Sequence, residues 1–146
     1  MPSSNTQEEI MEYSQLVKEA IKAKNHSYSP YSKFKVGAAL LTKSGKVYLG
    51  ANIENIAYSP SNCAERTAFF KAVFDGEKEF EAIAVAGGLD DDNTDYCYPC
   101  GVCRQVMLEF CDPETFKFIS VKDKENYKEY FLKEIIPFGF GPGSIK

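Results

Sequence analysis

Residues 81–87, Glu81-Ala82-Ile83-Ala84-Val85-Ala86-Gly87, form a short apolar run that reads as a central strand, and its flanks decide the architecture. Before it, Ser61 or Asn62 can cap a helix whose apolar face carries Ala68, Phe69, Ala72 and Val73, and Gly76 suits its end. After it, an acidic loop leads into another helix from about Pro99 to Phe110. Further out, Phe34 to Thr42 reads as a buried strand. Lys43-Ser44-Gly45-Lys46 has hairpin turn chemistry, returning through Val47-Tyr48-Leu49 toward Ile53. Lys117 to Val121 and Tyr127 to Phe131 form another strand pair, followed by a helical turn at Leu132–Ile136 and a Gly/Pro/Phe tail. At the other end, Thr6-Gln7-Glu8-Glu9 reads as a capping box before apolar residues at Ile10, Tyr13, Val17 and Ala20. That predicts a first helix over about Thr6–Lys24, broken by Ser29-Pro30-Tyr31-Ser32. Strands interleaved with helices, without an internal repeat, predict one α/β domain over residues 1–146, with two helices covering one or both faces of a roughly five-stranded sheet.

Composition agrees with that reading. The chain has 146 residues, 44% hydrophobic and 26% charged, and a chain of this size buries roughly 70% of its unfolded surface. No run of 18 apolar residues suggests a membrane span, and the polar, acidic start makes a cytoplasmic location the expectation. Net charge is −4, from 17 basic and 21 acidic residues. Nucleic-acid binders carry a clustered basic surplus to neutralise phosphates. Here the longest charge run, Asp90-Asp91-Asp92 with Asp95 beyond, is acidic, so a small-molecule partner is favoured over a polynucleotide.

The five cysteines carry the chemistry. An odd count in an intracellular chain argues against a disulfide framework. Cys97, Cys100 and Cys103 follow C-x-x-C-x-x-C spacing, and Cys63-Ala64-Glu65 opens the preceding helix. Cys100 and Cys103, three apart in a first helical turn, share a face and can grip one metal. Helix N-termini favour thiolates. Three thiolates on Zn²⁺ leave a net charge near −1, which Arg66 and Arg104, each one residue past a motif, are placed to offset. Three protein ligands leave a fourth position for water, the pattern of a catalytic zinc. Zinc lowers the pKa of bound water from 15.7 to about 7, and Glu65 beside the site is the natural proton carrier.

Plainer readings compete. A lone C-x-x-C can be a redox pair, although here it lies far behind the first strand, where a thioredoxin-like motif does not belong. A closed structural zinc with Cys97 as fourth ligand is the sharper rival, but Cys63 lacks the second C-x-x-C knuckle such sites usually bring. Otherwise Cys97 is a free loop thiol and Cys111 packs with Val106 and Phe110. His26, the only histidine, reads as a surface residue, which excludes zinc sites needing two or three.

Cys63-Ala64-Glu65-Arg66-Thr67-Ala68 and Pro99-Cys100-Gly101-Val102-Cys103-Arg104-Gln105 resemble the paired zinc motifs of the small cytidine deaminases in their three-cysteine form. The resemblance runs from Tyr31 to Pro142 and includes Phe34–Leu40 and Asn52-Ile53-Glu54-Asn55. It implies a three-layer α/β/α fold with a mixed five-stranded sheet and a homotetramer with shared active sites. It also implies hydrolytic deamination of cytidine and deoxycytidine in pyrimidine salvage. Cys63, Cys100 and Cys103 would hold Zn²⁺, and Glu65 would take a proton from the zinc-bound water and protonate ring N3 before hydroxide attacks C4. Asn52 and Glu54 match the pair that hydrogen-bonds the ribose 3′-hydroxyl, the backbone at Ala64 would hold the pyrimidine amide edge, and Phe34 would pack near the base. Phe140, before Gly141-Pro142, and Tyr58 match residues that line a neighbouring subunit's pocket.

This chain departs from the pattern at Tyr98, where the family usually has Ser, at Ile56, and in the longer acidic loop 90–97. Within the class, Asn52 and Glu54 argue against an antibiotic deaminase of the blasticidin S type. Nucleic-acid-editing relatives usually use His in place of Cys63, and the acidic balance opposes them. A structural zinc domain for protein binding would leave Glu65 unexplained.

Overall fold

The run at 81–87 is the middle of a nine-residue strand, Phe80–Gly88, buried almost throughout. The computed structural model describes residues 2–89 and 95–145, with side chains described from Tyr13 onward. In chain order the elements are α1 (Pro2–Ala23), β1 (Lys35–Thr42), β2 (Val47–Ala51), α2 (Ala64–Phe74), β3 (Phe80–Gly88), α3 (Gly101–Phe110), β4 (Lys117–Val121), β5 (Tyr127–Phe131) and α4 (Leu132–Ile135). The sheet runs β2-β1-β3-β4-β5. Of these four strand pairs, β3–β4 is parallel and the other three are antiparallel. A parallel pair needs a long crossover, and α3 supplies it.

Strand alternation sends successive side chains to opposite faces, and the two faces differ in size. Ala82, Ala84 and Ala86 of β3, with Ala39 and Leu41 of β1, meet Leu16, Val17 and Ala20 of α1. Small residues let this helix lie close, and a Cβ on Gly37 would come within 2.3 Å of the Ala20 carbonyl. Ile83 and Val85, with Ala38, Leu40 and Phe118, meet Phe69 of α2 and Met107 of α3. The result is three layers, with α1 on one face and α2 and α3 on the other, a mixed five-stranded α/β/α fold as expected. It uses three covering helices where two were expected.

Several boundaries differ from the sequence reading. α1 begins at Pro2 instead of Thr6, and the capping-box side chains lie outside the described residues. The helix expected from Ser61 or Asn62 is instead capped by Cys63. Asn62 is occupied elsewhere: its backbone exchanges hydrogen bonds with Ile53, and its amide nitrogen donates to Thr67 Oγ1. α3 begins at Gly101 instead of Pro99, because Cys100 takes the cap. The hairpin turn is as read, with Gly45 at φ +94°, and Thr42 Oγ1 accepts from the Lys46 amide. Asp90–Thr94, the acidic part of the long loop, lie outside the described residues.

Gly50 of β2 is where sheet and site meet. A Cβ there would stand 2.3 Å from the Ala64 carbonyl and 2.7 Å from the Ala68 nitrogen, so only glycine lets the start of α2 rest on the strand. Gly50→Ala must push α2 outward. Overpacking of this kind costs about 1–3 kcal/mol, so Tm should fall by about 3–10 °C in a calorimetric scan. An unchanged Tm would show that α2 is not held there.

Candidate active site

Cys63 and Cys100 each occupy the residue before a helix, in extended backbone at φ −78°, ψ 156° and φ −70°, ψ 169°. A side chain at this position turns back over the helix's free amides. Cys100 Sγ does so, accepting from the Cys103 N–H at 3.4 Å. Cys103, buried in the first turn of α3, adds the third sulfur. The three Sγ atoms lie within 4.8 Å of one another, and Cys63 and Cys100 are 3.7 Å apart. Tetrahedral ligands about 2.3 Å from zinc stand about 3.8 Å from each other, so the donors and their spacing fit one zinc ion. Among the described residues this is the one group of three metal-ligating side chains.

Charge is arranged around Cys63. Arg66 Nη2 donates to its sulfur at 3.4 Å. The Cys63 thiol falls to about 5, first because Cys103 hydrogen-bonds to it and then because of Arg66 and Cys100, against the opposing effect of burial. Cys103 shifts the other way, as donor to the Cys63 thiolate and a buried thiol. Cys63 thus ionises before Cys103. Arg66 also has a buried Nε with no hydrogen-bond partner, spare donor capacity for the negative charge of further thiolates. Arg104, expected to share this duty, does not: its guanidinium donates to the carbonyls of Pro99 and Ile135. It ties the second cysteine motif to α4. Gln105 donates to the Phe140 carbonyl at 2.8 Å and so holds the tail.

Glu65 follows Cys63 by two residues and is 4% exposed. Burial pushes its carboxyl up to about 7, and the neighbouring Cys63 thiolate adds to the rise. A carboxyl poised there can be protonated or ionised near neutral pH.

The Phe34 ring and Cys97 Sγ close over Gly87, whose added Cβ would lie 2.9 Å and 3.0 Å from them. Asn52 and Glu54 fall just past the end of β2 and are half-buried, while Ile53 between them is exposed. Their side chains organise the preceding segment. Asn52 Oδ1 accepts from Ser27 Oγ and the Val36 amide, and its Nδ2 donates to the Phe34 carbonyl. Glu54 accepts from the Tyr31 and Ser32 amides and from Ser32 Oγ. The Ala64 backbone lies at the start of α2. Tyr58 and Phe140 are 72% and 61% exposed, so both rings stand open to solvent.

Ser27, Ser32 and Ser120 were missed by the sequence reading. Their signal, polar residues in turns or on a strand, does not name partners 22 to 25 residues away. Cys97 is in a loop as expected but half-buried, with its thiol pushed up to about 12 by burial. His26 is exposed and Cys111 joins the apolar core.

The comparisons with known proteins agree with this geometry. The family model for the cytidine and deoxycytidylate deaminase zinc-binding region matches residues 11–119. A cytidine deaminase of Sporosarcina psychrophila is 46% identical over 130 residues, 89% of this chain and 92% of the relative. One of Halalkalibacterium halodurans is 45% identical over 130 residues, covering 89% and 95%. Among solved structures, the cytidine deaminase from Burkholderia pseudomallei has a TM-score of 0.78 at 41% identity, covering 86% of this chain and 97% of that one.

Because Cys97 stands outside the sulfur cluster, Cys97→Ser should keep about one zinc per chain by elemental analysis, while Cys100→Ser should lose most of it. Metal loss in Cys97→Ser would put a fourth sulfur on the ion.

Proposed function

The chain belongs to the cytidine and deoxycytidylate deaminase family, and on that premise we propose that it hydrolyses the exocyclic amine of cytidine, giving uridine and ammonia. The observation that carries the reading is the meeting of Cys63, Cys100 and Cys103 beside a buried Glu65. Deoxycytidine is a second substrate in this proposal, the role is pyrimidine salvage in the cytoplasm, and the chain works as one domain. Among the described residues no helix is long and apolar enough to cross a membrane.

Cys63, Cys100 and Cys103 would hold zinc, which when bound would supply Lewis-acid activation of a water. Glu65 moves the protons: it takes one from the attacking water and gives it to ring N3, then takes the second from the new C4 hydroxyl and gives it to the amine, so that the C–N bond breaks, ammonia leaves and C4 becomes the carbonyl. Its burial beside Cys63 keeps it within reach of the reacting ring and away from bulk water. The Ala64 backbone presents hydrogen-bonding groups to the pyrimidine edge, and Phe34 packs on the base. Asn52 and Glu54 keep donor and acceptor capacity for the ribose 3′-hydroxyl while they hold the 27–36 segment in place. Arg66 balances the thiolate charge.

The assembly is a homotetramer with shared sites in this reading. Its support is the exposure of large apolar side chains: Phe138 is fully open, and Tyr58, Phe140 and Phe74 are largely so. Burying such rings against a second copy is favourable at about 25 cal/mol per Å².

Glu65→Gln tests the central role. The variant should keep its fold and zinc but lose kcat by about 10²–10⁴-fold or more in the ultraviolet assay of cytidine conversion. Full turnover with glutamine would remove Glu65 from proton transfer.

A further inference from the structure

Tyr98 departs from the family pattern, and nothing in the proposed reaction uses it. Its place in the structure gives it a task. The segment leading to Cys100 has no regular secondary structure, yet three successive residues fasten it to the β4–β5 hairpin. The Tyr96 ring takes Lys128 Nζ at 4.3 Å and Lys122 Nζ at 6.0 Å from its centroid. The Cys97 carbonyl accepts from Ser120 Oγ at 2.8 Å, and Ser120 is fully buried. Tyr98 meets Tyr130 of β5 edge-on, centroids 5.9 Å apart and planes at 64°, with the two hydroxyls 3.1 Å apart. Two residues later stands Cys100, the exposed member of the sulfur cluster.

The three ligands are not equally secured. Cys103 is buried in the first turn of α3 and Cys63 is held by Arg66. Cys100 caps α3 from outside, accepting from the Cys103 amide while Arg104 holds the Pro99 carbonyl before it, so the direction from which the chain arrives sets where its sulfur sits. Edge-to-face aromatic pairs and hydrogen bonds both stabilise, and here both act on one side chain.

We propose that the Tyr98–Tyr130 pair is a positioning element for zinc: it locks the approach to Cys100 onto the edge strand β5 and slows the release of the metal. The pair acts through Cys100 and does not touch the reacting atoms. This inference rests on the three-sulfur zinc site of the proposed function.

The test uses zinc-loaded protein and an excess of a chromogenic chelator, following the rate of metal release. Tyr98→Phe and Tyr130→Phe each remove one hydroxyl and keep the ring, and each should release zinc about threefold faster. The double variant should match either single one, because both lose the same hydrogen bond. Tyr98→Ser, which removes the ring as well, should release zinc about tenfold faster. In cobalt-loaded protein Tyr98→Ser should shift the visible absorption bands, and Tyr98→Phe should return them toward wild type. Unchanged release and spectra in the Phe variants and in Tyr98→Ser would overturn the proposal, as would additive effects of the two Phe substitutions. If Tyr98→Ser does not fold, the Phe variants decide by release rate alone. Cytidine turnover by the wild-type protein, measured separately, reports on the proposed reaction, so failure of one reading is distinguishable from failure of the other.

Discussion

Two helices that begin at the same point are the constraint on which this structure depends. α2 and α3 lie on one face of the sheet, and the residues just before them, Cys63 and Cys100, place their sulfurs 3.7 Å apart. A meeting this close needs the start of α2 to rest directly on β2, which the missing side chain at Gly50 allows. It needs the chain entering α3 to be held, which Arg104 does through the Pro99 carbonyl. The packing of Phe69 of α2 and Met107 of α3 with Ile83 and Val85 of β3 then fixes their separation. A metal centre results from backbone ends instead of from a dedicated loop.

The same convergence sets the chemistry. Helix N-termini present unpaired amides and the positive end of the dipole, and Arg66 adds a full charge. Together they make a thiolate affordable at Cys63. Glu65 sits one turn-step further in, where burial favours its neutral form and the adjacent thiolate adds to that preference. The shifts of these neighbouring acids are opposite, Cys63 down and Glu65 up, set by environment alone.

Legibility followed from how local each cause was. β3 was readable because an unbroken apolar run of that length has few alternatives, and the hairpin was readable because Gly45 at positive φ is turn chemistry within four residues. The sulfur cluster was readable because the spacing of Cys100 and Cys103 and the place of Cys63 before a helix are local patterns. The helix starts were misjudged by one or two residues at just these positions: propensity ranks Ser and Asn above Cys as caps, but Asn62 is committed to pairing with Ile53. Arg104 was assigned to the thiolates from its neighbour in sequence, while its partners, Pro99 and Ile135, are set by the docking of α4. Ser27, Ser32 and Tyr130 were invisible for the same reason, since each acts on a residue 22 to 32 positions away.

The central claim is that three sulfurs of this chain hold zinc and leave one position open. X-ray absorption at the zinc edge of the purified protein tests it directly. The account predicts three sulfurs at about 2.3 Å and one lighter oxygen or nitrogen scatterer at about 2.0–2.2 Å. Four sulfurs in the first shell would contradict it, because a closed site has no place for the reacting water.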